Sequence, residues 1–378
     1  MIIERSILSR IKKALVNERK VIILYGPRQA GKTTLLNMLL ADLNKNVLFL
    51  NGDDLRTQEA LSTQNLDNLT KLIGEKELIV IDEAQRVNNI GLNLKLIFDN
   101  LPVFIIASGS SSLDLANKIN EPLTGRTLTF YLYPLSVEEL KPVPPNISLD
   151  AKLEEFMRFG LYPKVITTVS EEDKQTYLYE LISGYLYKDI LTFETVRKPK
   201  KIIDLLSLLA LQVGSLVSVS ELSQHLALSK PVVEKYLDLL EKMFIIFNLR
   251  GFSRNLRKEI YKTSKYYFWD LGMRNALIRN FNALSIRADV GALFENFCII
   301  EKLKASSNNR RFANFYFWRT HDKHEIDLVE EREGKLRGYE FKWSDKKKPS
   351  APKDFIEAYK NAEFSVVTPQ NYMNFIKG

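Results

Sequence analysis

A chain of 378 residues is too long for one ordinary domain, and its 45% hydrophobic and 26% charged residues fit a soluble globular protein of roughly two or three domains. No apolar stretch is long enough to cross a bilayer, Met1-Ile2-Ile3-Glu4-Arg5 lacks the layout of a secretory signal, and the single cysteine, Cys298, excludes an internal disulfide; together these predict the reducing cytoplasm. The net charge of +8 favours an anionic partner such as nucleic acid, though many basic proteins bind none.

The first element in chain order is an apolar run, Val21-Ile22-Ile23-Leu24-Tyr25, read as a strand. Gly26-Pro27-Arg28-Gln29-Ala30-Gly31-Lys32-Thr33 follows, and Thr34 to Leu40 reads as a helix. Strand, glycine loop and helix are the context of a phosphate-binding loop: glycine, four residues, glycine, lysine, threonine. Its backbone N–H groups curl around a phosphate, and the helix N-terminus adds partial positive charge. Residues 26–34 are expected to hold a nucleoside triphosphate. Lys32 reaches the β- and γ-phosphates, the Thr33 hydroxyl ligates Mg²⁺, and Arg28 is a further phosphate neighbour.

Asn46–Leu50 is a second strand candidate, followed by a helical stretch near 56–72. Leu78-Ile79-Val80-Ile81-Asp82-Glu83 is a buried parallel strand ending in two acids. Asp82 is placed to hold Mg²⁺, and Glu83 to act as general base on the attacking water. Leu101–Ala107 is another strand, ending in Ser108-Gly109-Ser110-Ser111. There Ser110 is either a γ-phosphate sensor or a helix cap. Gly125-Arg126 opens the strand Thr127–Leu132. Arg126 is either a transition-state arginine, acting in cis or across a subunit boundary, or a plain surface residue. The expected fold of residues 1–145 is a doubly wound parallel α/β sheet.

These segments, GPRQAGKTT, LIVIDEAQ, ASGSSS and LTGRTLTFYLYPLSVEEL, resemble the archaeal and bacterial ATPases of the AAA superfamily that carry a C-terminal domain of unknown function, the DUF4143 type. Phe159-Gly160-Leu161-Tyr162-Pro163 resembles that family's Gly-Gly-Phe/Tyr-Pro stretch, with Leu161 in place of one glycine. Tyr187-Lys188-Asp189-Ile190 and Tyr267-Phe268-Trp269-Asp270-Leu271-Gly272 extend the resemblance over most of the chain. The resemblance implies ATP rather than GTP, with Mg²⁺, and a homo-oligomer wherever a neighbour's arginine completes the site.

Pro142-Val143-Pro144-Pro145-Asn146 reads as a linker. Residues 151–205 read as a helical bridge. Ser220–Ala227 and Lys230–Leu240 read as two short helices, followed by the apolar run Phe244–Phe247 and by Tyr266–Trp269, which is the winged-helix plan over residues 146–275. Its basic stretch at 250–265 includes Arg254, Arg257, Lys258 and Lys262. These are expected either to track a DNA backbone or to lie on a solvated loop of a lid or dimerisation module. His225 is read as structural.

Residues 276–378 hold a second constellation. Glu295 lies on a helix, Asp327 on an alternating strand, and Glu340-Phe341-Lys342 on the next strand. This is a looser resemblance to the PD-(D/E)xK nuclease fold, because the proline is absent and Ile326 precedes Asp327. Alternation puts Glu340 and Lys342 on one face. Asp327 and Glu340 would share a second divalent metal, Glu295 would add a carboxylate, and Lys342 would orient the nucleophile. Three readings stay open: an active nuclease, a nuclease-like fold that binds without cleaving, and ordinary salt bridges. His321 and His324 are read as lying in an exposed turn, and Cys298 as buried. The sequence thus predicts an ATPase that engages DNA, branched or broken DNA included. The rival is an ATP-controlled switch whose partner is another protein, with no membrane association in either case.

Overall fold

Near-continuous apolar runs form strands that must be covered on both faces. Val21–Tyr25 (β1) and Leu78–Asp82 (β3) are buried at every position. With Val47–Asn51 (β2), Phe104–Gly109 (β4) and Thr127–Tyr131 (β5) they form a sheet of order β2-β3-β4-β1-β5, in which every neighbouring pair is parallel. Because β1 lies between β4 and β5, the loop that follows it opens at the carboxyl edge, where open α/β sheets bind ligands.

Helix Leu8–Asn17 (α1) buries Leu8, Ile11, Ala14 and Leu15, a stripe at helical spacing. It shares one apolar core with Lys32–Ala41 (α2) and with Ile22, Leu24, Val80, Ile106 and Phe130 of the sheet. The helical stretch expected near 56–72 is two helices, Leu55–Leu61 (α3) and Leu66–Ile73 (α4). The break has a local cause: the Asn65 side chain accepts bonds from the backbone N–H groups of Asp67 and Asn68 and so starts a new helix. Helix Ile90–Asn100 (α5) follows β3.

The structure, a computed structural model, describes residues 2–110, 119, 122–140, 149–192, 198–252, 264–320, 322–344 and 349–378. The expected linker at 142–146 lies outside them. The chain divides into two units, one of Met1–Leu135 with Lys242–Phe244, the other of Ser136–Glu241 with Ile245–Gly378.

In the second unit, four helices occupy the bridge: Leu149–Phe159 (α6), Pro163–Thr167 (α7), Glu171–Thr192 (α8) and Pro199–Leu211 (α9). Strand Leu216–Val217 (β6), helices Val219–Leu226 (α10) and Lys230–Lys242 (α11), and the antiparallel pair Ile246–Gly251 (β7) and Ser264–Phe268 (β8) come next. After helices Leu271–Leu277 (α12) and Val290–Asn308 (α13) come strands Asn314–Arg319 (β9), Glu325–Arg332 (β10) and Lys335–Phe341 (β11). Helix Lys353–Ala358 (α14), strand Glu363–Val367 (β12) and helix Tyr372–Lys377 (α15) close the chain. All seven strands share one mixed sheet, β12-β11-β10-β9-β7-β8-β6. Parallel pairing of β7 with β9, Arg250 opposite Tyr316, joins the strands at 216–268 to those at 314–367.

Two motifs of the sequence, at 159–163 and 267–272, turn out to be one packing contact. The Asp270 carboxylate caps α12 through the Met273 N–H and also accepts the Leu161 N–H at 2.6 Å. A Cβ on Gly160, whose φ is +75°, would meet the Asp270 carboxylate at 2.1 Å, and one on Gly272 would meet the Phe159 carbonyl oxygen at 2.0 Å. Both glycines are required by that approach.

Nearby, the Asp289 carboxylate accepts from Arg274 at 2.6 Å and from Arg287 at 2.7 Å. Burial would raise the Asp289 carboxyl, but the hydrogen bonds from Arg287 and Arg274 outweigh it and hold it at about 2. A folded value below the unfolded one stabilises above the unfolded value, and that stability is lost as pH falls through the folded value. Asp289→Asn is therefore expected to cost at least about 2 kcal/mol at neutral pH, since it also strips the buried Arg274 of its counter-charge. Urea unfolding across pH should show the gap from wild type closing as pH falls from about 4 toward 2; a gap constant with pH would refute the pairing.

Candidate nucleotide site and a second carboxylate cluster

The loop after β1 is shaped by two close approaches. A Cβ on Gly26 would lie 2.1 Å from the Leu132 carbonyl oxygen, so the loop leaves β1 where only glycine fits. Gln29 (φ 59°) and Gly31 (φ 97°) are left-handed, which curls the chain before α2 begins at Lys32. The helix N-terminus thus faces the space the loop encloses. The Lys32 ammonium is buried and donates to the carbonyl oxygens of Gly26 and Pro27 at 2.9 and 3.1 Å. Arg5, also buried, donates to the Ala30 carbonyl at 2.8 Å and to the Tyr133 carbonyl at 2.7 Å. It ties the loop to the end of β5, and the sequence gives no sign of it.

Asp82 sits at the carboxyl end of β3 and is 4% exposed. Its Oδ2 accepts the Thr33 hydroxyl at 2.5 Å, and its Oδ1 accepts the Ser108 hydroxyl of β4 and the Glu83 N–H. Thr33 and Asp82 are hard oxygen donors brought together from loop and strand, and they fit Mg²⁺. Glu83 takes a left-handed conformation, φ 52°. A non-glycine residue there costs on the order of 1–3 kcal/mol and marks a position the surroundings impose. A Cβ on Gly52, at the end of β2, would meet the Glu83 carbonyl oxygen at 2.3 Å. The buried Gln85 amide donates to the Glu83 carboxylate at 2.5 Å and to the Ser110 hydroxyl at 3.1 Å. Ser110 is therefore linked to Glu83 through a residue that sequence reading passed over. Its signal was position, two residues after the acid.

Arg126 is a correction. Its carbonyl accepts the Val21 N–H, which places it at the amino end of β5, opposite the start of β1. The loop lies at the other end of β1; at about 3.3 Å per residue, five strand residues separate the two by about 16 Å. The Arg126 guanidinium pairs with Asp99 at 2.9 Å. An action in cis on the γ-phosphate is excluded by that separation. Arg28 lies within the loop. Arg254, Arg257, Lys258 and Lys262, expected at DNA, lie outside the described residues, as does His321.

The second constellation converges on one face. The β10–β11 register pairs Leu328 with Tyr339, and continued by one residue it sets Asp327 opposite Glu340. The Phe341 N–H donates to Asp327 Oδ2 at 2.9 Å, and Lys342 pairs with Glu340 at 2.7 Å. A register shift against β9 between Ile326 and Val329 is a bulge at residues 327–328. It sends Ile326 and Val329 into the apolar core with Trp318 and Phe355, while Glu330 faces Lys302 of α13. Asp327 shares that α13 side with Glu295. Burial, with the Glu295 and Glu340 carboxylates adding to it, pushes Asp327 well above the ordinary carboxyl range. Burial also raises Glu295, against the opposing pull of Lys265 and Tyr267.

The last lysine of the basic stretch at 250–265, read as a DNA contact or a solvated loop, is instead buried among them. Lys265 of β8 is 1% exposed, and its ammonium lies 2.6 Å from Glu325 and 3.4 Å from Glu295. The Tyr267 hydroxyl donates to Glu295 at 2.6 Å. Burial alone would lower the Lys265 ammonium, but the Glu295, Asp327 and Glu325 carboxylates outweigh it and raise it. The signal for Lys265 and Tyr267 was their i, i+2 spacing on a strand. Among the described residues, no group of three or more His, Cys, Asp and Glu side chains is arranged to hold a metal ion. His225 is exposed beside Glu221, and His324 bonds Asp354 at 2.7 Å. Cys298 is free and buried.

Residues 18–141 match the family described as an AAA domain. Residues 150–284 match a domain of unknown function, DUF8612, and residues 290–375 another, DUF4143. The chain is 29% identical over 347 residues to an uncharacterized protein of Mycobacterium tuberculosis, covering 90% of this chain and 74% of that one. A Methanosarcina acetivorans replication factor C large subunit is 33% identical over 75 residues, 19% of this chain and 12% of that one. Among solved structures, a Walker-type ATPase of Pyrococcus abyssi is similar at 21% identity and a TM-score of 0.49, over 73% of this chain and 96% of that one. Among the described residues, no helix is long and apolar enough to cross a membrane. The chain carries an AAA domain and a C-terminal DUF4143 domain.

Arg5→Met removes the donors that hold the Ala30 and Tyr133 carbonyls. Leaving buried acceptors unsatisfied costs about 1–3 kcal/mol. We expect a loss of stability in that range together with nucleotide affinity weakened about tenfold, the equivalent of 1.4 kcal/mol. Titration of a fluorescent nucleotide checks it; unchanged affinity in a folded variant would show that Arg5 does not shape the loop.

Proposed function

We propose that this chain is a Mg²⁺-dependent ATPase whose second unit binds DNA. The observation that carries the first half is the convergence of Thr33 on the Asp82 carboxylate, with Glu83 beside it. ATP is favoured over GTP by the match of residues 18–141 to AAA domains. Phosphoryl transfer to water is mostly positioning and charge neutralisation. The backbone N–H groups of residues 26–31 and the α2 N-terminus hold the phosphates, and Lys32 moves from its carbonyl partners to phosphate oxygens. Thr33 and Asp82 hold Mg²⁺, which neutralises charge developing on the phosphates. Glu83 takes the proton of the attacking water, and Gln85 sets its carboxylate by bonding Ser110 as well.

Lys32→Ala is expected to weaken ATP binding. Glu83→Gln should leave binding intact and slow hydrolysis by about 10²–10⁴-fold, the usual worth of a general base. Single-turnover hydrolysis at saturating ATP measures it, and a Glu83→Gln rate equal to wild type would remove Glu83 from the base role.

Three observations support DNA as the partner of the second unit. The chain carries net charge +8. The order α9, β6, α10, α11, β7, β8 follows the winged-helix plan, and Lys230, Lys235 and Arg250 are exposed on it. Finally, part of the chain is similar to a replication factor subunit. We assign the C-terminal part as a nuclease-like fold that binds rather than cleaves. Binding should weaken as salt rises, through counterion release. Replacing Arg254, Arg257 and Lys258 with alanine should flatten the slope of log K against log salt by up to about 3 if each meets a phosphate. Fluorescence anisotropy with duplex, single-stranded and branched DNA tests this. No binding at low salt would favour the reading in which ATP controls assembly with a protein partner or with other copies of the chain.

A further inference from the structure

The acids at 295, 325, 327 and 340 resemble a metal centre in sequence, but the cluster has a cation of its own. We propose that Lys265 is the built-in counter-cation of this cluster, which therefore takes up no divalent metal and cleaves no DNA. The inference does not depend on the ATPase or DNA-binding readings.

Geometry fixes the lysine there. Lys265 pairs with Leu249 of β7 on one side and with Leu216 of β6 on the other, so its backbone is held within the sheet. Its side chain is 2% exposed, with the ammonium over the Phe317 ring at 5.7 Å and against Glu325 and Glu295. The side chain is buried against these carboxylates, and a divalent ion brought beside it would meet like charge at short range.

Each of the four carboxylates is also engaged through at least one oxygen. Glu295 Oε1 accepts from Tyr267 and Lys265, and Glu325 pairs through one oxygen with Lys265 and through the other with Arg319 at 3.0 Å. Asp327 Oδ2 accepts the Phe341 N–H, and Glu340 Oε1 accepts Lys342. An ion ligated through these oxygens would compete with the donors that already hold them. Lys265 is supplied from residues 150–284, outside the 290–375 match that carries Glu295, Glu325, Asp327 and Glu340. The cation thus joins two stretches of sequence into one unit.

The test is Mn²⁺ binding by the full nucleotide-free chain, followed by electron paramagnetic resonance. Wild type, Asp327→Asn and Glu340→Gln should bind Mn²⁺ alike, and wild type with Mn²⁺ should leave duplex and branched DNA intact. Lys265→Met, which keeps the apolar stem and removes the charge, should gain one Mn²⁺ per chain, lost again when Glu340→Gln is added. Wild-type Mn²⁺ binding or DNA cleavage that disappears in Asp327→Asn or Glu340→Gln would overturn the proposal, as would a folded Lys265→Met that gains no ion. If circular dichroism shows Lys265→Met unfolded, the comparison of wild type with Glu340→Gln decides alone.

Discussion

The nucleotide-binding half depends on one buried carboxylate. Asp82 receives Thr33 from the start of α2, Ser108 from β4 and the backbone of Glu83, so a single side chain ties three segments of the parallel sheet. A buried carboxylate is costly unless its oxygens are satisfied, and here hydroxyl and amide donors bond them. That arrangement keeps the site ready for a metal. Hydroxyl partners can turn toward a metal, or accept it as a shared ligand, with little rearrangement of the backbone. The close approaches at Gly26 and Gly52 fix the flanking chains, so the donors are placed by strand packing and not by the loop alone.

The second unit solves a different problem. Helix α13 lies against a sheet on one side and carries charged residues that are almost wholly buried: Glu301, Lys302 and Lys304. Each finds a partner. Lys304 bonds Glu301 at 2.8 Å, Glu301 accepts the Val137 N–H at 2.7 Å, and Lys302 donates to the Phe375 carbonyl at 2.8 Å beside Glu330. Such pairs add little net stability, because desolvation offsets attraction, but breaking one is costly. They specify which segments meet. Asp270 does the same for α12 and the turn after α6, which is why the stretches at 159–163 and 267–272 occur together in one chain.

What the sequence shows depends on how far apart the interacting residues lie along it. Gly26 to Thr33 and the run ending at Asp82 and Glu83 were legible, since each motif carries its own strand, turn and helix signals. Glu340 and Lys342 were legible as one face, because alternation is local. Arg126 was read at the opening of its strand, where it lies; which end of that strand faces the phosphate loop shows only once β5 is paired with β1. One helix was read at 56–72 because its apolar spacing continues through the cap at Asn65. Arg5 and Gln85 were passed over, and Lys265 was read into the basic stretch at 250–265, for the same reason in three forms: their partners lie across the fold, at Ala30 and Tyr133, at Ser110, and at Glu295 and Glu325. Periodicity carries no information about such pairs.

Two buried lysines show how similar chemistry serves opposite ends. Lys32 rests on the carbonyl oxygens of Gly26 and Pro27, neutral acceptors at 2.9 and 3.1 Å. Lys265 rests on carboxylates, the nearer at 2.6 Å, within a strand paired on both edges. Hydrogen bonds between charged partners are roughly twice as strong as neutral ones, and phosphate is a charged acceptor. A phosphate entering the loop therefore outcompetes what holds Lys32, on a helix N-terminus that already favours anions. An ion entering the second cluster has to displace a lysine whose partners are already charged and which has nowhere to go. The first lysine is poised to exchange its partners, whereas the second is locked to them. On the proposed readings, the same difference in acceptor chemistry separates a loop that exchanges partners from a cluster that keeps them.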